Sequence, residues 1–233
     1  MAAYDYPLIL KQILKSGVNW APNQEILYRD QFKYTYKEMY QRVLQLAGAL
    51  QAAGVKKGTK VGVIEWDSHR YLEMYFAIPG IGAVLHTINP RLAPADVGYI
   101  IRHGEDEVLI FHEDFLPLVE KLHPTFSNVR KYILISEKAE RPQTEFDYQE
   151  FDEFMASGEA LDELPDFDED TQATLAYTTG TTGRPKGVYF SHRQLVLHTM
   201  AGSAALSGFT DFGGVNKYDV YMPLTPLFHV HAW

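Results

Sequence analysis

Residues Leu175 to Val188 read LAYTTGTTGRPKGV, and these residue types suit one task, gripping a polyphosphate. Gly180, Gly183 and Gly187 free the backbone, so that successive N–H groups can converge on one anion. Thr178, Thr179, Thr181 and Thr182 add hydroxyl donors, and one of them can also serve as an oxygen ligand for Mg2+. Lys186 supplies a full positive charge for the β- and γ-phosphates. The spacing departs from that of a P-loop NTPase, in which glycine precedes the lysine and serine or threonine follows it. Here Pro185 and Gly187 flank Lys186. The apolar run Val188-Tyr189-Phe190 comes next, and Ser191 is placed to cap a helix. The loop is therefore expected to join two strands, so a helix dipole is not its main device for holding an anion.

A second candidate group closes the sequence. His229 and His231 are two residues apart, and in an extended chain they point to one side. That spacing suits two ligands of a zinc or iron site, but no third ligand is near in sequence. A partly buried pair at the end of a strand is the alternative. Trp233 reads equally as a core residue.

The elements that must position these groups follow from periodicity. Pro7 to Lys15 has apolar residues at helical spacing, with Gly17 expected to end the helix. Short strands are expected at Glu25 to Tyr28 and Gln31 to Thr35. Thr35 and Glu38 have the spacing of a capping box for a helix running to about Ala53. Strands and helices then alternate: strand Lys60 to Glu65, helix Ser68 to Ile78, strand Ala83 to Thr87, helix Ala95 to His103. Strand Glu107 to Phe111, helix Phe115 to Leu122 and strand Lys131 to Ile135 complete the series. This alternation predicts βαβ units and an α/β fold of mostly parallel sheets flanked by helices. Glu150 to Asp170 holds ten acidic residues and no basic one, and reads as a solvated connection with a short helix near Phe151 to Met155. Residues 1–170 are thus expected to form a first subdomain and 171–233 to begin a second. The strands from Ala173 onward are expected to find most of their neighbours beyond residue 233. That arrangement leaves apolar surface exposed near the C-terminus and favours self-association.

Composition narrows the function classes. With 233 residues, 46% of them hydrophobic and 22% charged, the chain can bury a substantial core. It contains no cysteine, which excludes thiolate chemistry and fits a reducing, cytoplasmic setting. A net charge of -9 argues against nucleic acid as a partner. No signal peptide is expected from Met1 onward. No transmembrane segment is expected either: Met74 to Pro90 is broken by proline and glycine, and Gln194 to Thr210 falls short of the roughly 20 apolar residues a span needs. The latter stretch reads as a buried core helix.

The segment LAYTTGTTGRPKGV resembles the phosphate-binding signature of the adenylate-forming superfamily, which includes acyl-CoA synthetases, aryl-CoA ligases and peptide-synthetase adenylation domains. Ser191-His192-Arg193 extends the likeness, and Leu50 to Val63, Ala77 to Leu92 and Met222 to Trp233 resemble further family segments in the same order. The resemblance implies the N-terminal part of the adenylate-forming enzyme fold. It also implies ATP-dependent conversion of a fatty acid to an acyl-adenylate and then to acyl-CoA. ATP, Mg2+ and CoA are the implied cofactor and co-substrates. Thr178, Thr179, Gly180, Thr181, Thr182, Gly183 and Lys186 take the role of holding the pyrophosphate, with Thr181 touching Mg2+. His229, of the Pro-x-Phe-His motif, takes the place bordering the adenylate and the CoA passage, beside His231. Trp233 matches a tryptophan that closes the fatty-acid tunnel in some long-chain enzymes, which favours a fatty acid over an aryl acid. An aryl-CoA ligase, a carrier-protein adenylation domain and a non-catalytic nucleotide-binding module are the competing readings. Family members continue well beyond the position of Trp233 with adenine-, ribose- and metal-binding residues and the catalytic lysine, so the chain alone is expected to be inactive. Relatives form homodimers, but no residue here fixes the oligomeric state.

Overall fold

A computed structural model describes residues 6–138, 140–178, 183–208, 214–216, 219–229 and 231. Helix α1 (Leu10–Trp20) runs straight through Gly17, whose carbonyl accepts the Ala21 N–H at 2.9 Å. The expected stop at Gly17 is therefore wrong. A Cβ placed there would lie 3.5 Å from the Tyr36 ring, an ordinary contact distance. Strands β1 (Glu25–Tyr28) and β2 (Phe32–Thr35) form an antiparallel hairpin. Thr35 caps α2 (Tyr36–Ala52) in a complete capping box with Glu38, as the local sequence predicts.

The alternating series then appears as β3 (Lys60–Ile64), α3 (His69–Gly80), β4 (Val84–Thr87), α4 (Pro94–Gly104), β5 (Val108–His112), α5 (Leu116–Leu122), β6 (Lys131–Ile135) and β7 (Gln149–Glu150). Helix α6 (Phe151–Ala156) precedes β8 (Gln172–Thr178), β9 (Lys186–Ser191) and α7 (His192–Ser207). The large sheet has seven strands in the order β7-β6-β5-β3-β4-β8-β9, all parallel to their neighbours except β9, which runs antiparallel to β8. Both faces are covered, so the central strands are near-continuous apolar runs. Val61, Val63, Leu85, Ile110 and Ile133 pack against residues of α2, α3 and α6. Ile64, Leu109, Phe111 and Leu134 pack on the other face against α4 and α5.

Three expectations need correcting. Strand β8 finds both its neighbours, β4 and β9, within this chain, because the long segment from β4 leads it back to the free side of that strand. A division at residue 170 therefore runs inside one sheet. The acidic stretch is less solvated than its composition suggests. Phe151, Phe154 and Leu164 are buried, Gln45 Nε2 donates to the carbonyls of Met155 and Gly158, and Lys11 pairs with Glu163 and Asp166. Backbone contact is close enough that a Cβ on Gly48 would lie 1.8 Å from the Glu159 carbonyl oxygen. Helix α7 is not a core helix: only His192, Leu195 and Val196 of it are buried, and Leu197, Met200 and Leu206 face outward. With Val188, Tyr189, Val220, Tyr221, Met222 and Leu224 they form the exposed apolar surface expected near the C-terminus.

One buried ion pair ties α2 to α3. Arg42 donates through Nε to Glu73 Oε1 at 2.6 Å and through Nη2 to Oε2 at 3.1 Å, with Glu73 fully buried.

Candidate functional site

Thr178 and Lys186, the described ends of the phosphate-loop candidate segment, sit at the loop end of the β8–β9 hairpin. Its register places Thr178 opposite Lys186, Tyr177 opposite Gly187 and Thr174 opposite Phe190. Paired residues of an antiparallel ladder share a face, and every second residue returns to it. Thr174, Thr178, Lys186 and Phe190 therefore lie on one face of the hairpin. Lys186 is exposed and has no ion-pair partner among the described residues, and a Cβ on Gly183 would meet nothing within 4 Å. The described ends of the loop, Thr178 and Lys186, thus form a mouth with an exposed cation at its rim. Thr179, Gly180, Thr181 and Thr182 lie outside the described residues, as does Trp233.

The opposite face explains why position 187 is glycine. A Cβ there would lie 3.2 Å from the ζ-carbon of Tyr177, whose ring packs across the strand pair. The Tyr177 hydroxyl is 2.7 Å from His103 Nδ1, its ring is 5.2 Å from that of His86, and burial pushes its ionisation upward. Arg184, just before Pro185, sets its guanidinium 5.2 Å from the centre of the Tyr99 ring. Tyr177 therefore fixes the strand on which the loop begins.

Ser191 caps α7 in a capping box with Gln194. His192 is buried, and its Nδ1 accepts the Leu10 N–H at 3.2 Å; burial lowers its pKa to about 4, so it acts here as a neutral acceptor. Arg193 pairs with Glu169, which also accepts the Leu8 N–H. Sequence reading gave Ser191 a capping role and His192 and Arg193 none, and the structure makes these two the latch between the hairpin and the N-terminal segment.

The histidine segment docks on the face that carries Lys186. Leu227 donates its N–H to Asp67 Oδ1 and receives the Tyr75 hydroxyl at its carbonyl, each at 2.6 Å. The His229 N–H closes a turn onto the Pro226 carbonyl at 2.9 Å, and Arg91 lies over the Phe228 ring. His231 Nε2 is 2.8 Å from Thr174 Oγ1, with its ring edge-on to Phe190. Its φ of 44° shows that the chain is not extended there, so the expectation of two imidazoles on one side of a strand fails. His229 is exposed, whereas burial lowers the His231 pKa to about 4. No group of three His, Cys, Asp or Glu side chains suited to a metal occurs among the described residues. The histidine segment thus lies on the hairpin face that also carries Lys186, with its described hairpin contacts at Thr174 and Phe190, toward the start of β8 and the end of β9.

Sequence reading missed the buried carboxyls of this region, because no local pattern marks them. Asp106 and His86 are both fully buried and 2.7 Å apart, with burial raising the Asp106 carboxyl against the pull of His86. Glu65, just after β3, is 1% exposed and accepts the Ser68 hydroxyl at 2.6 Å; burial lifts its pKa from 4.5 to about 8. A carboxyl raised in the folded state keeps its proton where the unfolded chain has lost it. Its contribution to stability is therefore complete below about pH 4.5 and is lost as the pH rises to about 8. Glu65→Gln, neutral throughout, is expected to melt several degrees higher than the parent protein at pH 9, with the gap closing toward pH 5. Parallel melting curves across that range would show that Glu65 titrates normally.

The sequence profile of the AMP-binding enzyme family matches residues 15–233. A long-chain-fatty-acid–CoA ligase of Thermus thermophilus is 45% identical over 199 residues, covering 85% of this chain and 34% of that protein. A 3-methylmercaptopropionyl-CoA ligase of Ruegeria lacuscaerulensis is 36% identical over 232 residues, or 97% of this chain and 42% of that one. Among solved structures, an anthranilate CoA ligase in complex with anthranoyl-AMP superposes with a TM-score of 0.78 at 28% identity, covering 88% of this chain and 39% of that one. The chain thus spans between about a third and two fifths of the length of these relatives.

Proposed function

We propose, from the premise that this chain belongs to the AMP-binding enzyme family, that the whole protein activates a fatty acid with ATP and passes it to CoA. In the first step a carboxylate oxygen attacks the α-phosphorus of ATP, the α–β phosphoanhydride bond breaks, and pyrophosphate leaves. In the second the CoA sulfur attacks the acyl carbon, the bond to AMP breaks, AMP leaves, and the thiol proton is released. The first step brings anions together, so its barrier is lowered mainly by positioning and fixed positive charge. On this reading Thr178, Thr179, Gly180, Thr181, Thr182 and Gly183 wrap the leaving pyrophosphate, and Lys186 neutralises it. The observation that carries the reading is the hairpin itself, whose register sets an exposed Lys186 opposite Thr178 at its loop end.

The residues present suit Mg2+ in one way only. Threonine hydroxyls are hard oxygen donors at that mouth, and no carboxylate cage is found among the described residues, so the ion would be held by phosphate oxygens and Thr181. When bound, Mg2+ supplies charge neutralisation on the triphosphate. His229, exposed beside the hairpin face, borders the adenylate and the path of the CoA thiol, while His231 and Trp233 shape the acyl side of that passage. Residues 171–233 then open the subdomain that carries the loop, with β8 shared with the sheet of the preceding residues. A chain without cysteine suits a cytoplasmic setting, and a homodimer remains part of the reading.

Relatives acting on a long-chain acid, on 3-methylmercaptopropionate and on anthranilate show how far acid preference varies around this site. Acid-dependent ATP–pyrophosphate exchange by the full-length protein tests the choice. Exchange with octanoate or palmitate is expected to exceed that with benzoate. A preference for benzoate would give the anthranilate ligase likeness precedence and make this an aryl-CoA ligase. Mg-ATP binding without exchange for any acid would leave only a nucleotide-binding module.

A further inference from the structure

The structure assigns to Asp67 and Tyr75 a task that the nucleotide loop does not explain: together they clamp the Leu227 peptide and so position His229 for the thiol step. Leu227 is held at both ends of its backbone, its N–H by Asp67 Oδ1 and its carbonyl by the Tyr75 hydroxyl, each at 2.6 Å. The two holders come from one rigid source. Asp67 stands just before the N-cap Ser68 of α3, and Tyr75 lies further along that helix. Tyr75 is 4% exposed and Leu227 is 5% exposed, so water cannot readily take over the bond between them. Asp67 is exposed, and its bond to the Leu227 N–H is half-buried.

A clamp of this kind matters because of what surrounds it. Residues 220–224 are exposed and make no strand or helix. Immediately past the clamp, the Pro226–His229 turn closes and His229 emerges into solvent. The outer contacts, Arg91 over Phe228, Thr174 with His231 and Phe190 edge-on to His231, are ring contacts and a single polar contact; the two bonds at Leu227 are short, and the one from Tyr75 is buried. Fixing one residue by both its backbone donor and its backbone acceptor holds the two peptide groups on either side of it, and so sets the direction of the chain as well as its location. The direction of the next two residues decides where the His229 ring points. Misplacing a group at a reacting centre by about 1 Å can cost up to roughly a hundred-fold in rate. Asp67 and Tyr75 are positioning residues here, since neither touches a reacting atom.

The inference rests on the proposed place of His229 beside the thiol path. It predicts that loosening the clamp slows transfer of the acyl group from AMP to the CoA sulfur and spares formation of the acyl-adenylate. In the full-length protein, Tyr75→Phe removes only the hydroxyl, Asp67→Ala removes the acceptor, and Asp67→Asn keeps one acceptor oxygen. Tyr75→Phe and Asp67→Ala are each expected to lower CoA-dependent thioester formation about ten-fold while pyrophosphate exchange stays within about two-fold. Asp67→Asn is expected to recover most of the loss. A merely structural role would lower both steps together, and that outcome in correctly folded Tyr75→Phe or Asp67→Asn protein overturns the clamp. His229→Ala, measured alongside, separates the two ideas. If it slows thioester formation but the clamp variants do not, the clamp is wrong and the role of His229 stands. If it slows neither step, the role of His229 falls and takes the clamp with it.

Discussion

Replacing Lys186 by alanine in the full-length protein is expected to lower acid-dependent pyrophosphate exchange by about 10²–10³-fold, the usual loss when one fixed electrostatic group is removed from a reacting centre. Lys186 stands at the rim of the β8–β9 hairpin, opposite Thr178, with no carboxylate among the described residues to occupy its charge. Its charge is therefore free for an anion. In the reaction proposed, a carboxylate must approach a triphosphate, and an ammonium group at the β/γ end both relieves that repulsion and stabilises the departing pyrophosphate. The loss should appear mainly in kcat, because charge on the leaving group grows toward the transition state. Lys186→Arg is expected to restore only part of it, since a planar fork does not reproduce a compact point charge. Should Lys186→Ala retain exchange within three-fold of the parent, the hairpin is not an ATP grip. The functional reading would then have to rest on other residues.

Arg42→Ala should be the costliest single change to stability, about 3–5 kcal/mol, because it strands a buried carboxylate. Glu73 is fully buried on α3, and both its oxygens are held by the Arg42 guanidinium from α2. Burial pushes the Glu73 carboxyl upward even with that partner, so the pair itself barely offsets its own desolvation. The penalty thus comes from removing one partner. Urea unfolding of Arg42→Ala, compared with the double change Arg42→Met with Glu73→Leu, distinguishes the two: the single variant should lose several times more midpoint stability. Equal losses would mean that the pair contributes as a contact and not as a buried charge needing a partner. Such a change would also tilt α3, and with it the Asp67 and Tyr75 contacts to Leu227.

How much of this was legible in the sequence depended on distance along the chain. The capping box at Thr35 with Glu38 and the helix cap at Ser191 were readable because each rests on residues close in sequence, and the structure completes the second as a box with Gln194. The hairpin was readable because Pro185 and Gly187 around Lys186 depart from the spacing of a P-loop, and a short apolar run precedes the helix cap Ser191. Helix α1 outran its predicted stop because Gly17 keeps a helical backbone, its carbonyl accepting the Ala21 N–H, and does not take the left-handed conformation with which a glycine ends a helix. Helix α7 was misread for a different reason. Its composition is apolar enough for a core, but the sheet offers it a neighbour along only part of one side. The contacts that set the site most firmly, Arg42 with Glu73, His86 with Asp106 and Leu227 with Asp67 and Tyr75, all depend on strand order. No local period encodes which strand stands beside which.

The seating of β8 beside β4 carries a consequence for how competence arises. Leu85 meets Thr174 across the sheet, although most of the chain between the two must first be wound into α4, β5, α5, β6 and α6. Closing so long an excursion is a late and entropically demanding event in folding. On the reading proposed, a nascent or partly opened chain has not yet set Thr178 opposite Lys186 and would not sequester nucleotide. Readiness for the proposed reaction would then come only with the complete sheet, which acts as its own proofreader.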